Sequence, residues 1–214
     1  MAYTAMDLTG KVALVTGGNS GIGLGMADAM ARAGADIAIW GTNAEKNAAA
    51  EAQLKAHGVK VLAQKIDVSD EQQVIDGFAA AVSALGRVDN VVISAGVGIG
   101  APSFNKFRTD IFRKVMAVNV EGAFFTLREA TRHMTSRDGG GSIVGVASLA
   151  ALEGAARNQA YAASKGALIS MINGVAVEFA RNGIRANVIL PGWIATDMTA
   201  EAQASQKFND NVIG

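Results

Sequence analysis

Short apolar runs rich in Val and Ile recur along the chain at Val12–Thr16, Ile37–Trp40, Val59–Ile66, Val88–Ser94, Ser142–Ala147 and Ile184–Leu190. Each is four to eight residues long. None shows clean polar alternation, which predicts strands covered on both faces. Segments of helical composition separate the runs, at about 21–33, 43–57, 70–85, 107–136 and 158–182. Gly34, Gly58, Gly86 and Gly183 follow four of these and suit helix C-terminal stops. The resulting βαβαβαβαβαβ order predicts an α/β fold with a doubly wound parallel sheet between two layers of helices. No shift in composition marks a second domain, so residues 1–214 read as one.

Composition narrows the class. Half of the 214 residues are hydrophobic and 18% are charged, which argues for a packed core and against disorder. Basic and acidic residues balance at 19 each. Neither a nucleic-acid nor an anionic-membrane partner is expected, because both select excess basic charge. There is no cysteine, which removes disulfides, thiolate nucleophiles and sulfur-ligated zinc. Met1–Lys11 lacks the basic and apolar regions of a secretory signal. The uncharged stretch Asn90–Asn105 is broken by glycines and Pro102, so no membrane span is expected. The expectation is a soluble, cytoplasmic protein.

The first strand run leads into Thr16-Gly17-Gly18-Asn19-Ser20-Gly21-Ile22-Gly23, which opens the first helical segment. In this context Gly17 permits a tight turn, Gly21 a close approach to a pyrophosphate, and Gly23 close packing of helix on sheet. Phosphates would sit on the helix N-terminus, where free N–H groups and the dipole favour anions. No Gly-Lys-Ser/Thr follows, so this is not a nucleoside-triphosphate loop. A plain βα turn is the alternative.

The end of the second strand bears on which dinucleotide would bind. An NAD site usually carries a carboxylate there for the ribose 2′-OH. Here the strand ends Trp40-Gly41-Thr42-Asn43, and Asp36 lies at its other end. Thr42 and Asn43 offer uncharged donors, and no acid repels a 2′-phosphate. No Arg is present to pair with one, and Lys46 lies a helical turn further on. The missing acid favours NADP(H), with NAD(H) as the alternative.

Tyr161 and Lys165 are four residues apart in a helical segment, so phenol and ammonium share one face. A nearby ammonium is expected to lower the phenol pKa from its usual value near 10. The phenol could then exchange a proton with an alcohol oxygen near neutral pH. Ser148, thirteen residues before Tyr161, closes the fifth strand run, and its hydroxyl could hold the same oxygen. The spacing alone also occurs in ordinary surface pairs.

With these residues in place, the chain resembles the short-chain dehydrogenase/reductase family, single-domain Rossmann type, from about Lys11 to Thr196. The Gly-rich turn matches the family's cofactor turn, with Gly17, Asn19, Ser20, Gly21, Ile22 and Gly23 against the dinucleotide. Asp67-Val68 matches the pair at the adenine ring. Asn119 matches the active-site Asn on the central helix. Ser148, Tyr161 and Lys165 match the catalytic Ser and the Tyr-x-x-x-Lys pair. Pro191-Gly192-Trp193-Ile194-Ala195-Thr196 matches the segment at the nicotinamide end.

The resemblance implies roles. Tyr161 would be the general acid/base, and Ser148 would polarise the carbonyl. Lys165 would bind the nicotinamide ribose and lower the Tyr161 pKa. Asn119 would hold a water in a proton relay to Lys165. Ser94, Ala95 and Gly96 would lie against the cofactor, although Ile93-Ser94-Ala95-Gly96 departs from the family's Asn-Asn-Ala-Gly. The amides that brace the sheet there are missing. A second departure is at the C-terminus, where family members usually continue with a helix and a seventh strand. Without them the sixth strand is expected to be an exposed edge.

His57 and His133 lack a partner at metal spacing, so no metal site is expected. Arg157 precedes the Tyr helix and could meet an acidic substrate, although a solvated Arg is the commoner case. Val97, Ile99, Leu149, Leu152, Trp193 and Met198 fall where an apolar substrate wall would lie, or pack within their loops. Segments 107–136 and 158–182 are apolar on more than one face, which predicts a homo-oligomer built through them. The combined expectation is strand order 3-2-1-4-5-6 and reversible hydride transfer between NAD(P)(H) and a small secondary alcohol or ketone. A non-catalytic or impaired dinucleotide-binding protein is the alternative.

Overall fold

A computed structural model describes residues 6–206 and residue 210. Its strands are β1 (Val12–Thr16), β2 (Asp36–Gly41), β3 (Val61–Lys65), β4 (Asn90–Ile93), β5 (Gly141–Val146) and β6 (Ile184–Ile189). They form one all-parallel sheet in the order β3-β2-β1-β4-β5-β6, as the alternation predicted. The helices are α1 (Gly21–Arg32), α2 (Ala44–Lys55), α3 (Glu71–Leu85), α4 (Thr109–Met116), α5 (Gly122–Thr135), α6 (Ala150–Glu153), α7 (Gln159–Phe179) and α8 (Ala200–Gln203). Gly34, Gly58, Gly86 and Gly183 all take positive φ, from +71° to +94°. They end their helices in the conformation a side chain resists.

Alternation along each strand sorts the apolar residues into two cores. Leu14, Trp40, Val91, Ile93 and Ile143 point to one face and meet Val74 and Phe78 of α3, Leu127 of α5, and Leu168 and Ile172 of α7. Ala13, Val15, Ile37, Ile39 and Val92 point to the other and meet Ala27 and Ala31 of α1 and Ala50 and Leu54 of α2. Small residues dominate the α1 face, which brings that helix, and the turn before it, close to the sheet. Trp40 is fully buried, and its indole N–H donates to Gln64 Oε1 at 2.9 Å. That bond removes the cost of hiding its polar atom.

Two expectations need correction. The segment 107–136 is not one helix, because α4 and α5 are joined by a π-helical turn over Ala117–Glu121. Apolar periodicity does not reveal one extra residue in a turn. The six runs are not all covered on both faces: β3 and β6 lie at the two sheet edges and are only partly buried. In β6, Arg185, Asn187 and Ile189 are exposed. No strand flanks β6 among the described residues. Segment 158–182 is helical as expected, with α7 running to Phe179 and a 3₁₀ turn over Ala180–Asn182.

Candidate active site

The carboxyl ends of β1 and β4 face opposite crossovers, and the crevice between them is where ligands bind in such sheets. A cleft of about 660 Å³ opens there. Nearly all the residues predicted for the site line it. They come from the turn after β1 (Gly17 and Asn19–Gly23), Thr42 and Asn43 after β2, and Asp67 and Val68 after β3. Ser94–Gly96 after β4, Ser148 after β5, Tyr161 and Lys165 of α7, and Pro191, Gly192, Ile194 and Thr196 after β6 complete them. Asn119 is buried behind the wall instead, at 2% exposure.

The turn after β1 has a backbone geometry that could hold an anion. Gly17 (φ +64°) and Gly21 (φ +51°) take conformations that L side chains resist. A Cβ on Gly17 would lie 3.0 Å from Ala95 N and Cα, and one on Gly23 would overlap the Gly17 carbonyl oxygen. Gly23 therefore closes the turn onto itself, besides letting α1 approach the sheet. Ser20 caps α1 without a side-chain hydrogen bond, so its hydroxyl leaves the first-turn N–H groups open. These groups sit in the cleft wall and fit a pyrophosphate.

Thr16 opens the Gly-rich motif, and its buried hydroxyl accepts from Ser94 N and Ala95 N at 3.1 Å each. It supplies a brace between β1 and β4 in a segment that lacks the family's amides. Asn47 carried no local signal at all. Its buried amide donates to Gly41 O and Gln64 O at 3.0 Å each, and its Oδ1 accepts from Asn19 Nδ2 at 2.7 Å. That ties the Gly-rich turn to the ends of β2 and β3. Asn43 Oδ1 accepts from Lys46 N at 2.9 Å as the N-cap of α2, which leaves its N–H groups as donors. Asp67 Oδ1 accepts from the backbone and hydroxyl of Ser69, and Val68 packs where Gly122 of α5 lacks a Cβ.

At the other end of the cleft, Tyr161 and Ser148 share a hydrogen bond. Ser148 Oγ also accepts from Ala150 N at 3.2 Å, which fixes its position. Lys165 Nζ lies 5.6 Å from the Tyr161 ring centroid and donates to Val146 O at 2.8 Å. Burial lowers the Lys165 pKa to about 8. For Tyr161 the expected direction is reversed. Burial raises the phenol pKa, and the Ser148 bond opposes it. Desolvation penalises the phenolate, and the lysine charge is aimed at a carbonyl rather than at the phenol oxygen.

The π turn presents Asn119 to two elements at once. Oδ1 accepts from Val97 N at 2.8 Å, while Nδ2 donates to Val97 O at 3.0 Å and to Ser164 Oγ at 2.9 Å. Ser164 Oγ in turn donates to Tyr161 O at 2.7 Å. Asn119 thus braces the loop after β4 against α7. Both of its N–H groups are used, so a relay water would have only the second lone pair of Oδ1.

Of the apolar candidates, Val97 and Met198 line the cleft. Leu149, Leu152 and Trp193 are exposed, and Ile99 is half-buried. Arg157 has φ +66°, and its carbonyl accepts from Ala101 N at 2.7 Å. His57 meets Asp28 at 2.8 Å, and His133 accepts from Val88 N and Arg137 Nε at 3.1 Å each. No group that could hold a metal ion occurs among the described residues. No described helix is long and apolar enough to cross a membrane.

Comparison with known proteins agrees with this geometry. A gluconate 5-dehydrogenase of Gluconobacter oxydans is 36% identical over 204 residues, covering 95% of this chain and 79% of that protein. An L-rhamnose 1-dehydrogenase (NAD(P)(+)) of a Sphingomonas strain is 35% identical, over 94% of this chain and 79% of that protein. A short-chain type dehydrogenase/reductase from Mycobacterium ulcerans superposes with a TM-score of 0.91 at 31% identity, covering 95% of this chain and 75% of that one. The short chain dehydrogenase family model matches residues 11–207. By fold, sequence and the cleft at its strand ends, the chain belongs to the short-chain dehydrogenase family and is an oxidoreductase of that class.

Proposed function

We propose that the protein reversibly transfers a hydride between NAD(P)(H) and a small secondary alcohol or ketone, with Tyr161 as general acid/base. The observation that carries this is the convergence of Ser148, Tyr161 and Lys165 on one end of a cleft whose other end is an anion-binding turn. A bound nicotinamide supplies the hydride acceptor or donor. The protein supplies the proton path. In reduction the Tyr161 hydroxyl gives its proton to the carbonyl oxygen, and in oxidation the phenolate takes it back. Ser148 binds the same oxygen and holds the phenol in line. Lys165 keeps an ammonium beside the site at neutral pH, since its pKa stays at about 8. A phosphate or ribose oxygen near Nζ would restore part of the solvation that burial removes. Asn119 fixes the backbone of Val97, at the lip of the cleft, and through Ser164 the first turn of α7.

Replacing Tyr161 with Phe tests the assignment. Turnover should fall by about 10²-fold or more, the usual worth of a positioned acid/base. Dinucleotide affinity should stay near wild type. An unchanged rate rejects the mechanism, and absent turnover in the wild type with intact cofactor binding favours the non-catalytic alternative.

The preferred dinucleotide on this reading is NADP(H). Support comes from the β2 end, where Gly41, Thr42 and Asn43 themselves carry no carboxylate, the acid at that corner being Asp197 from the turn after β6, paired with Lys46. Asp36 sits at the far end, accepting from Lys60 N at 2.8 Å. Melting temperature should rise more with NADPH than with NADH at equal concentration, because binding to the folded state alone stabilises it. An equal or reversed order rejects the preference.

A further inference from the structure

We propose that Asp197 is a specificity-determining residue, which weakens discrimination in favour of NADP(H) by competing with the ribose 2′-phosphate for the Lys46 ammonium. This rests on the reading that the β2 end receives that phosphate.

Lys46 Nζ lies 2.6 Å from Asp197 Oδ2, a contact between residues 151 positions apart. The pair joins two opposite lips of the cleft. Lys46 comes from the first turn of α2, and its backbone N–H is fixed by the Asn43 cap beside Thr42. Asp197 comes from the turn after β6, which is itself held in place. Thr196 and Thr199 form a reciprocal capping box there, and Thr199 Oγ1 donates to Ile194 O at 2.6 Å. Both charged residues line the same cleft as Gly41, Thr42 and Asn43.

The side chains are 48% and 75% exposed, so water screens the pair and its strength is modest. A ligand that brings more charge can therefore displace the carboxylate. A 2′-phosphate carries between one and two negative charges at neutral pH and three acceptor oxygens. A carboxylate carries one charge and two. The ribose 2′-OH of NAD(H) is neutral and has no such claim on Nζ. Asp197 thus acts against only one of the two cofactors. It neutralises the ammonium before the phosphate arrives, and it repels the phosphate at close range. The hydrogen bond from Lys46 also holds the Asp197 carboxyl below its usual pKa, so the acid is ionised throughout the neutral range.

The test is calorimetric titration of the apoprotein with NADPH, NADH and adenosine 2′,5′-bisphosphate. It uses wild type, Asp197→Asn, Lys46→Met and the double variant. Asp197→Asn should raise the NADPH-to-NADH affinity ratio about two- to fivefold, the range that an exposed ion pair supports. Lys46→Met should lower the ratio. Asp197→Asn should then add nothing in the Lys46→Met background, since the two act through one contact. The bisphosphate should follow NADPH. If Lys46→Met lowers the ratio while Asp197→Asn leaves it unchanged, Asp197 does not compete and this proposal falls, but the phosphate reading stands. If Asp197→Asn tightens both dinucleotides equally, the acid acts on a shared part of the cofactor and the proposal also falls. If neither variant moves the ratio or the bisphosphate affinity, no 2′-phosphate sits at this corner and both readings fall.

Discussion

Lys165 should make the apoprotein less stable than it would be without its charge. The side chain is 4% exposed, and burial lowers its pKa from 10.5 to about 8. In the unfolded chain a lysine titrates near 10.4. Between those values the unfolded chain binds a proton that the folded chain does not, so stability rises with pH across that window. Below pH 8 the cost is complete, at about 3 kcal/mol. The Val146 carbonyl returns part of it, as the acceptor of the 2.8 Å bond. Losing that bond costs about 1 kcal/mol. Lys165→Met, which keeps the length of the side chain without its charge, should therefore stabilise the apoprotein by about 2 kcal/mol at neutral pH.

The pH dependence separates this from simple repacking. From about pH 7 to about pH 9.5 the wild type should regain about 2 kcal/mol through this group, and the variant nothing. Stopping there keeps Tyr161 neutral, since burial raises its pKa. Urea unfolding followed by the emission of the buried Trp40 gives both quantities from the midpoints. The same variant should lose turnover, a trade of function against stability common at active sites. If the variant is less stable than wild type and the two share one pH dependence, the ammonium is not penalised by burial and the reasoning fails.

Gly23→Ala should destabilise by about 1–3 kcal/mol, as overpacking against backbone does. The new methyl overlaps the Gly17 carbonyl, so dinucleotide affinity should fall with the melting temperature. Normal affinity would show that the turn relaxes freely. His133 is held neutral. Burial lowers its pKa first, with Arg137 and Arg87 adding to the effect, and Nε2 accepts two N–H groups. A depressed histidine contributes stability that is complete above its unfolded pKa near 6.5 and lost as pH falls below it. The urea midpoint should therefore drop between about pH 7 and pH 5 in the wild type and less in His133→Gln; equal drops would count against this role. Phe112 of α4, Phe124 of α5 and Val177 of α7 are exposed at 43%, 47% and 82%. Sedimentation should show a homo-oligomer that Phe124→Glu weakens, and a wild-type monomer at micromolar concentration would reject contacts through these helices.

Much of the fold was legible locally. Val- and Ile-rich runs place six strands because β-branched residues suit pleated, covered positions. The four glycine stops end helices because only their backbone takes positive φ cheaply. The Gly-rich turn and the Tyr161–Lys165 spacing are legible for the same reason, since each is a feature of neighbours in sequence. The π turn at Ala117–Glu121 was not. It changes one hydrogen-bonding step without changing the apolar pattern, yet it aims Asn119 at Val97 and Ser164.

The chain's own order of residues determined the class of fold, the position of the Gly-rich turn, and the presence of a phenol and an ammonium one helical turn apart. Tertiary structure decided what those groups experience. The Tyr161 phenol is raised rather than lowered because burial outweighs its neighbours, and burial depends on what α7 packs against. Asn47 becomes the clasp of the Gly-rich turn only because three segments meet there. Lys46 finds Asp197 across 151 residues, a distance in sequence over which no local pattern carries information. Periodicity and propensity act between near neighbours, whereas desolvation and charge pairing are set by whatever the folded chain brings within a few ångströms.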